Sequence, residues 1–320
     1  MDIFLTLIFF AIGVVLIVKG GDFFVDAASW IAEISGIPKL IIGATVVSLA
    51  TTLPEMLVSV MAATQGKVDM SIGNAVGSVT ANLGLILAIA VICMPGVIKR
   101  SDYLLKSVMM VAAAVLIVAC GLSGKISIVF CVVLICIFVL FIFENVKSAK
   151  KSMSEPAVDT SSLNLKTRRR IIENVLKFIL GTAGIVFGAD ILVDNGSELA
   201  RAIGISERII GVTLVAVGTS LPELITTVTA IVKKQSALSV GNILGANILD
   251  LTLIMPIASI ISGKALPVSA SAAMIDLPAC LLVSLVAVVP AMLRSRFTKV
   301  QGFFLLGLYV IYVVVTCVLM

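Results

Sequence analysis

The chain has 320 residues, of which 60% are hydrophobic and 13% are charged, and its formal net charge is +5 at pH 7. This composition is too apolar for a water-soluble domain and indicates a protein whose solvent is lipid. The chain contains no histidine, and its six cysteines lie in or beside apolar runs without a CxxC pair. A zinc site, histidine-based catalysis and a disulfide framework are therefore disfavoured.

Apolar runs of about 20 residues, the length that crosses a bilayer, follow one another along the chain. The first run has neither a basic leader nor a cleavage pattern, so we expect it to be retained as a helix. The sequence predicts ten transmembrane helices, at 3–20, 39–65, 70–94, 103–121, 126–145, 171–193, 207–232, 237–260, 269–290 and 300–319.

One long polar segment, 146–170, separates two groups of five helices and divides the chain into a first repeat (1–145), a basic linker and a second repeat (171–320). A cytoplasmic linker puts both termini outside the cell. Because short cytoplasmic loops carry most Lys and Arg residues, we expect this topology in the plasma membrane, and it explains the basic linker better than nucleic-acid binding does. The basic residues then left outside are Lys67, Lys125, Arg201, Arg208 and Lys264.

The two halves match at a constant offset of 168 residues, with 41–55 facing 209–223 and 73–78 facing 241–246. A match of this kind indicates an internal repeat. Because each half has an odd number of helices, the second copy enters the membrane from the opposite side. Inverted repeats of this kind are typical of secondary transporters that bind their substrate at the membrane midplane.

The strongest matched segment ends in Leu-Pro-Glu in both halves, at Glu55 and Glu223. Proline removes a helix hydrogen bond, so we expect Pro54 and Pro222 to interrupt their helices and to free backbone carbonyls. A carboxylate inside a span costs about 2.5–3.5 kcal/mol on insertion scales. A single proline or hydroxyl there would indicate only a packing kink, but recurrence at one offset favours a cation site. Hydroxyls lie beside both prolines, at Thr51, Thr52, Thr219 and Ser220.

The next helix in each half adds a second matched set with i, i+4 spacing, which places each pair on one helix face. Its members are Ser78 and Asn82, and Ala246 and Asp250. Glycines beside them predict either close helix packing or a shaped site, at Gly73, Gly77, Gly241 and Gly245. Calcium takes six to eight oxygen ligands, a set that two glutamates, hydroxyls and freed carbonyls can supply.

The paired motifs, ATTLPE at 50–55 with GNAVGSVTAN at 73–82 and GTSLPE at 218–223 with GNILGANILD at 241–250, closely resemble those of the calcium/cation antiporter superfamily, sodium/calcium exchanger branch. The resemblance covers most of the chain. It implies an all-α polytopic membrane protein with ten helices in two inverted five-helix repeats, broken at the midplane. It further implies alternating access and calcium extrusion against sodium, with no enzymatic activity and no cofactor. The implied partners are the transported Ca²⁺ and Na⁺ and the lipid bilayer, with no obligate protein partner.

Residue by residue, the resemblance implies two overlapping ligand sets. For calcium the set is Thr51, Glu55, Thr219 and Glu223. For sodium the set is Ser48, Thr51, Thr52, Glu55, Ser78, Asn82, Ala216, Thr219, Ser220, Glu223 and Asp250. Three positions depart from the family pattern: Ser48 replaces alanine, Ala50 replaces glycine, and Ala246 replaces a serine that helps to bind sodium. The second-half sodium site and the stoichiometry therefore stay open.

Three alternatives remain at this point. The same fold could couple to protons or potassium, or carry another divalent cation such as manganese, and the missing hydroxyl at Ala246 is the best support for this. A passive cation channel would need a selectivity filter, and no carbonyl-ring motif is evident. An intramembrane hydrolase with paired carboxylates would need an activated nucleophile, and none is evident beside Glu55 or Glu223.

Overall fold

The computed structural model describes residues 3–66, 68–96, 100–153, 165–204, 218–263 and 265–319, and most of these residues are helical. The helices of the first half are α1 (Ile3–Ser35), α2 (Lys39–Thr64), α3 (Val68–Cys93), α4 (Arg100–Leu122) and α5 (Ile128–Met153). Those of the second half are α6 (Leu165–Ala202), α7 (Leu221–Val232), α8 (Ser236–Ile261), α9 (Ala272–Arg294) and α10 (Lys299–Leu319). Two short antiparallel strands pair between loops, β1 (Lys125–Ile126) and β2 (Leu266–Pro267).

Nine helices in the described ranges, all but α7, are long and apolar enough to cross a membrane. The remaining predicted span, 207–232, lies partly outside the described residues, and its described part, 218–232, contains the shorter α7. Helix α5 continues to Met153 and α6 begins at Leu165, so both ends of the predicted linker are helical. Residues 154–164 of that linker lie outside the described part of the chain.

Within the described ranges, four helices contain a π-helical turn, in which one extra residue is accommodated. The turns are Gly43–Val47 in α2, Asn82–Leu87 in α3, Asp250–Ile254 in α8 and Ala272–Asp276 in α9. Those in α3 and α8 begin 168 residues apart, at the two polar positions singled out in the sequence. The repeat thus extends from residue identity to backbone irregularity.

Helices α1 and α6 are longer than predicted, and the expected ends at 20 and 193 were wrong. Glycines allow the two helices to approach closely. A Cβ added at Gly20 would lie 2.8 Å from the backbone nitrogen of Ile185, and one at Gly181 would lie 2.6 Å from that of Phe24. Small residues at helix contacts permit this packing. Helix α1 therefore continues beyond Gly20 as a partly buried helix.

The chain forms two compact units. The first contains Met1–Thr51 and Glu144–Asn242, and the second contains Thr52–Phe143 and Ile243–Met320. Each unit therefore draws segments from both sequence repeats. The core of the first unit includes Phe24, Ile42, Val47, Ile185 and Leu238. In the second unit, α10 packs on α3 through Tyr309 and Gly84, and Tyr103 of α4 makes an edge-on ring contact with Phe297.

Candidate cation site

The backbone around the two Leu-Pro-Glu motifs differs between the halves. In α7 the helix begins at Leu221 with Ser220 as its N-cap residue, so Pro222 occupies the first turn. In α2 the helix continues through Pro54, and the irregular turn lies upstream at Gly43–Val47. A proline removes one hydrogen bond, which a helix can absorb by bending. At the motif itself, the backbone is therefore helical in α2 and irregular just before Leu221 in α7.

The predicted site side chains in the described ranges are inside the protein. Glu55 is 1% exposed, Glu223 0% and Asp250 1%. Also buried are Ser48, Thr51, Thr52, Ser78, Asn82 and Ser220, and Thr219 is half-buried. Ala216 lies outside the described residues. Because burial of a carboxylate is costly unless it is neutralised or paired, each of these three acidic positions needs a compensating group or ion.

In the first unit, a hydrogen-bonded chain leads to the backbone of Glu223. The hydroxyl of Thr51 lies 3.3 Å from the side-chain oxygen of Asn242 and also 3.3 Å from the carbonyl of Ser48, to either of which it can donate. The Asn242 amide donates to Thr226 Oγ1 over 3.0 Å, and Thr226 donates to the Glu223 carbonyl over 3.0 Å. Oxygen-bearing groups of α2, α7 and α8 are thereby connected.

In the second unit, Asn74 contacts the backbone of Glu55 directly. Its amide donates to the Glu55 carbonyl over 3.1 Å and to Ser59 Oγ over 2.9 Å. Asn74 and Asn242 occupy equivalent positions of the repeat. Both asparagines belong to the second motif, but the sequence alone assigned no role to either of them. Their recurrence at the common offset was the signal that could have identified them.

The two π turns of α3 and α8 begin at Asn82 and Asp250, both in the second unit. The Asn82 amide donates to Asn247 Oδ1 over 3.1 Å. Within the described part of the chain, Asn82 Oδ1 and Ser78 Oγ have no hydrogen-bond partner, although both atoms are buried. Buried oxygens are normally satisfied, and a hard cation can satisfy them because it binds hydroxyl and amide oxygens.

The glycines of the second motif do not behave alike. A Cβ added at Gly241 would collide with the carbonyl oxygen of Leu40 and lie 3.0 Å from the nitrogen of Ala44, so α8 packs backbone to backbone on α2. At Gly73 and Gly77, a Cβ would meet nothing within 4 Å among the described residues. Close helix packing, one of the two alternatives for these glycines, is therefore observed at Gly241 and not at Gly73 or Gly77 among the described residues.

Comparison with known proteins gives a consistent assignment. A family model described as sodium/calcium exchanger protein matches residues 5–146 and 174–318. The inner membrane protein YrbG of Escherichia coli K12 is 35% identical over 78% of this chain and 78% of its own length. The sodium/calcium exchanger MaX1 of Methanosarcina acetivorans is 29% identical over 95% of this chain and 96% of its own length.

Solved structures agree. The sodium-calcium exchanger NCX_Mj soaked with 2.5 mM Na⁺ and 10 mM Sr²⁺ matches with a TM-score of 0.82 and 28% identity, over 98% of this chain and 99% of that one. The same exchanger soaked with 10 mM Na⁺ and no Ca²⁺ matches with a TM-score of 0.81. The all-helical, multi-pass membrane fold predicted from the sequence is thus confirmed. The chain belongs to the sodium/calcium exchanger family, whose members are cation antiporters and not enzymes.

Proposed function

We propose that this antiporter exports calcium from the cell in exchange for sodium by alternating access. The observation that carries the proposal is the pair of buried glutamates, Glu55 and Glu223, at equivalent positions of the repeat. Each has a backbone carbonyl held by a side-chain hydrogen bond, from Asn74 or from Thr226. Two ionised glutamates can be neutralised by one divalent ion or by more than one monovalent ion. Mutually exclusive occupancy by these ions is the physical basis of exchange.

For calcium, we propose the carboxylates of Glu55 and Glu223 and the backbone carbonyls of Thr51 and Thr219 as ligands. Thr51 is buried and Thr219 is half-buried beside the start of α7. Carboxylate and carbonyl oxygens are the groups that hard cations prefer. Softer metals prefer thiolate or imidazole. The absence of histidine from the sequence is consistent with a hard cation.

For sodium, we propose the same glutamates together with flanking oxygens. The hydroxyls of Ser78 and Ser220 and the side-chain oxygen of Asn82 support this, because all three are buried without a hydrogen-bond partner in the described ranges. The remaining proposed sodium ligands are Ser48, Thr51, Thr52, Ala216, Thr219 and Asp250. Ser48 and Ala216 would contribute their carbonyls.

Reconstituted protein in proteoliposomes tests the exchange. We expect uptake of radioactive calcium that requires an outward sodium gradient, and loss of that uptake in Glu55→Gln and Glu223→Gln proteins. Glu33→Gln is a matched control, because the Glu33 side chain is 65% exposed and pairs with Lys39 at the surface. Calcium uptake that needs no counter-ion would refute antiport and indicate a channel.

The second candidate function is antiport with another coupling ion, or of another divalent cation such as manganese. Ala246 is the observation that favours it, because it is fully buried and has no hydroxyl to offer a sodium ion. Imposing proton, potassium and sodium gradients separately distinguishes the coupling ions. Competition by manganese against radioactive calcium distinguishes the substrates. Calcium flux driven by a proton gradient alone would replace the sodium-coupled proposal.

We also propose a plasma-membrane location with both termini outside and the 146–170 linker in the cytoplasm. The excess of Lys and Arg in the loops assigned to the cytoplasm supports this orientation. A cysteine introduced as Ser161→Cys into a cysteine-free background should resist a membrane-impermeant maleimide in intact cells and react after lysis. Labelling in intact cells would show that the linker is outside and that the proposed orientation is wrong.

A further inference from the structure

We infer that Asn247 and Met110 are positioning residues for sodium, because they fix the orientation of the Asn82 amide so that its carbonyl oxygen remains available as a cation ligand. Neither residue belongs to the ligand sets above. The inference rests on the proposed function, in which Asn82 binds sodium. Its evidence is a hydrogen-bonded relay that lies entirely within the second compact unit.

The relay joins three helices. Asn82 begins the π turn of α3, Asn247 lies in α8 just before its π turn, and Met110 lies in α4. The Asn82 amide donates to Asn247 Oδ1 over 3.1 Å, and the Asn247 amide donates to the Met110 sulfur over 3.7 Å. All three residues are fully buried. Bulk water therefore offers these amides no alternative partners.

The chemistry of the end group gives the relay its direction. A thioether sulfur accepts hydrogen bonds weakly and has no hydrogen to donate. The NH₂ group of Asn247 therefore faces Met110, and its oxygen faces Asn82. That oxygen can only accept, so the NH₂ group of Asn82 faces Asn247. The Asn82 oxygen is left over, buried and without a hydrogen-bond partner in the described part of the chain.

This direction matters for binding because the two ends of an amide are opposite in polarity. A carbonyl oxygen attracts sodium or calcium, whereas an NH₂ group repels a cation. If the Asn82 amide turned over, its oxygen would face the Asn247 oxygen, where neither can donate, unless Asn247 turned as well. A turned Asn247 would in turn present its oxygen to the Met110 sulfur, where neither atom can donate.

The positions related to Asn82 and Asn247 by the repeat do not form an equivalent pair of amides, and the chemistry of the ligand explains why. At the position equivalent to Asn82 stands Asp250, and at the position equivalent to Asn247 stands Val79, a buried apolar residue. A carboxylate presents two equivalent oxygens and needs no orienting partner. The orienting amide, which the second half supplies at Asn247, therefore serves the ligand that is itself an amide, and the equivalent position 79 carries none.

The test uses full-length protein in proteoliposomes and measures the half-saturating concentrations of sodium and calcium together with the maximal rate. Met110→Leu conserves volume and removes only the acceptor, and we expect the sodium value to rise about threefold, as for the loss of one weak hydrogen bond. Asn247→Leu leaves the Asn82 NH₂ group unpaired, and we expect a rise of about tenfold. The calcium value and the maximal rate should stay close to wild type. Met109→Leu, at the half-buried neighbouring position, is the control.

Two double variants separate orientation from packing. Adding Met110→Leu to Asn247→Leu should change the sodium value no further, because Met110 acts only through Asn247. Adding it to Asn82→Asp should also have no effect, because a carboxylate has no wrong orientation. A Met110→Leu effect that persists in the Asn82→Asp protein, that appears equally in the calcium value, or that is matched by Met109→Leu would overturn the inference. Absence of sodium-driven calcium flux in wild-type protein would instead overturn the proposed function.

Discussion

Replacing Gly241 and Gly73 by alanine, one at a time, compares two equivalent positions of the repeat that the structure treats in opposite ways. At Gly241 the new methyl group would collide with the Leu40 carbonyl oxygen and lie 2.9 Å from the Leu40 carbonyl carbon and 3.0 Å from the Ala44 nitrogen. At Gly73 it would meet nothing within 4 Å in the described part of the protein. The same substitution should therefore have effects of opposite sign.

The magnitudes follow from the contacts. Backbone atoms cannot rotate away as a flexible side chain can, so α8 and α2 must separate by about half an ångström or more to restore ordinary contact distances. Overpacking of this kind costs about 1–3 kcal/mol, and the better helix propensity of alanine returns up to about 1 kcal/mol. We expect Gly241→Ala to lower the free energy of unfolding by about 1–2 kcal/mol. Gly73→Ala should raise it by up to about 1 kcal/mol.

Transport should report the same displacement at Gly241. The next residue, Asn242, makes hydrogen bonds of 3.3 Å with Thr51 and 3.0 Å with Thr226, and separating the helices stretches at least one of them. We therefore expect Gly241→Ala to raise the half-saturating calcium concentration, whereas Gly73→Ala leaves it unchanged.

Thermal unfolding in detergent and calcium flux in proteoliposomes measure both effects. At about 2–4 °C per kcal/mol, Gly241→Ala should melt several degrees below wild type, and Gly73→Ala at or slightly above it. Equal shifts for the two alanines, or a stabilised Gly241→Ala protein, would refute the close α2–α8 packing on which the reasoning depends.

Three further outcomes follow from other contacts. Lys233→Gln removes ion pairs of 3.3 Å to Asp22 and 2.8 Å to Asp26. Because these groups are partly exposed, we expect the free energy of unfolding to fall by less than about 1 kcal/mol at low salt and not at high salt. An equal loss at low and at high salt would contradict this. Tyr312→Phe removes the 3.0 Å hydrogen bond to the buried Asp276 and should destabilise the protein by about 1–3 kcal/mol, an effect that should shrink in an Asp276→Leu background if the bond is its cause. Calcium at about 100 times its dissociation constant should raise the free energy of unfolding by about 2.7 kcal/mol, and this shift should be absent when either motif glutamate is replaced by glutamine.

The sequence predicted the fold class correctly because the bilayer imposes a length and an apolar composition on every span. It failed at the ends of α1 and α6, because the segments beyond residue 20 and residue 193 carry acidic residues typical of a membrane boundary. Packing between the two helices continues past both points, since Gly181 approaches Phe24 and Gly196 lies beside the Phe10 ring. Hydropathy measures the preference of a segment for lipid. It does not detect a helix that continues beyond the membrane boundary because it packs against another helix.

The candidate site shows a similar division. Glu55 and Glu223 were identified because both their chemistry and their positions recur at the common offset. Asn247 was missed because its counterpart is Val79, so no recurrence drew attention to it. Its role depends on which atoms meet Asn82 and Met110, and that depends on three helices distant in sequence. A repeat-based search finds what the halves share and overlooks what one half adds.

The difference between the halves at the start of the paired π turns is confined to the side chain, and the backbone explains how it is tolerated. The π turns of α3 and α8 begin at the same repeat position, so the backbone presents residue 82 and residue 250 alike. A π turn adds its extra residue whatever the side chain at its start is, so an amide can stand where the other half has a carboxylate. Replacing a carboxylate by an amide changes the charge of the site by up to one unit and leaves the position of the residue in the π turn unchanged. An amide, however, has a wrong orientation that a carboxylate lacks, and Asn247 with Met110 supplies the constraint that makes the neutral ligand usable.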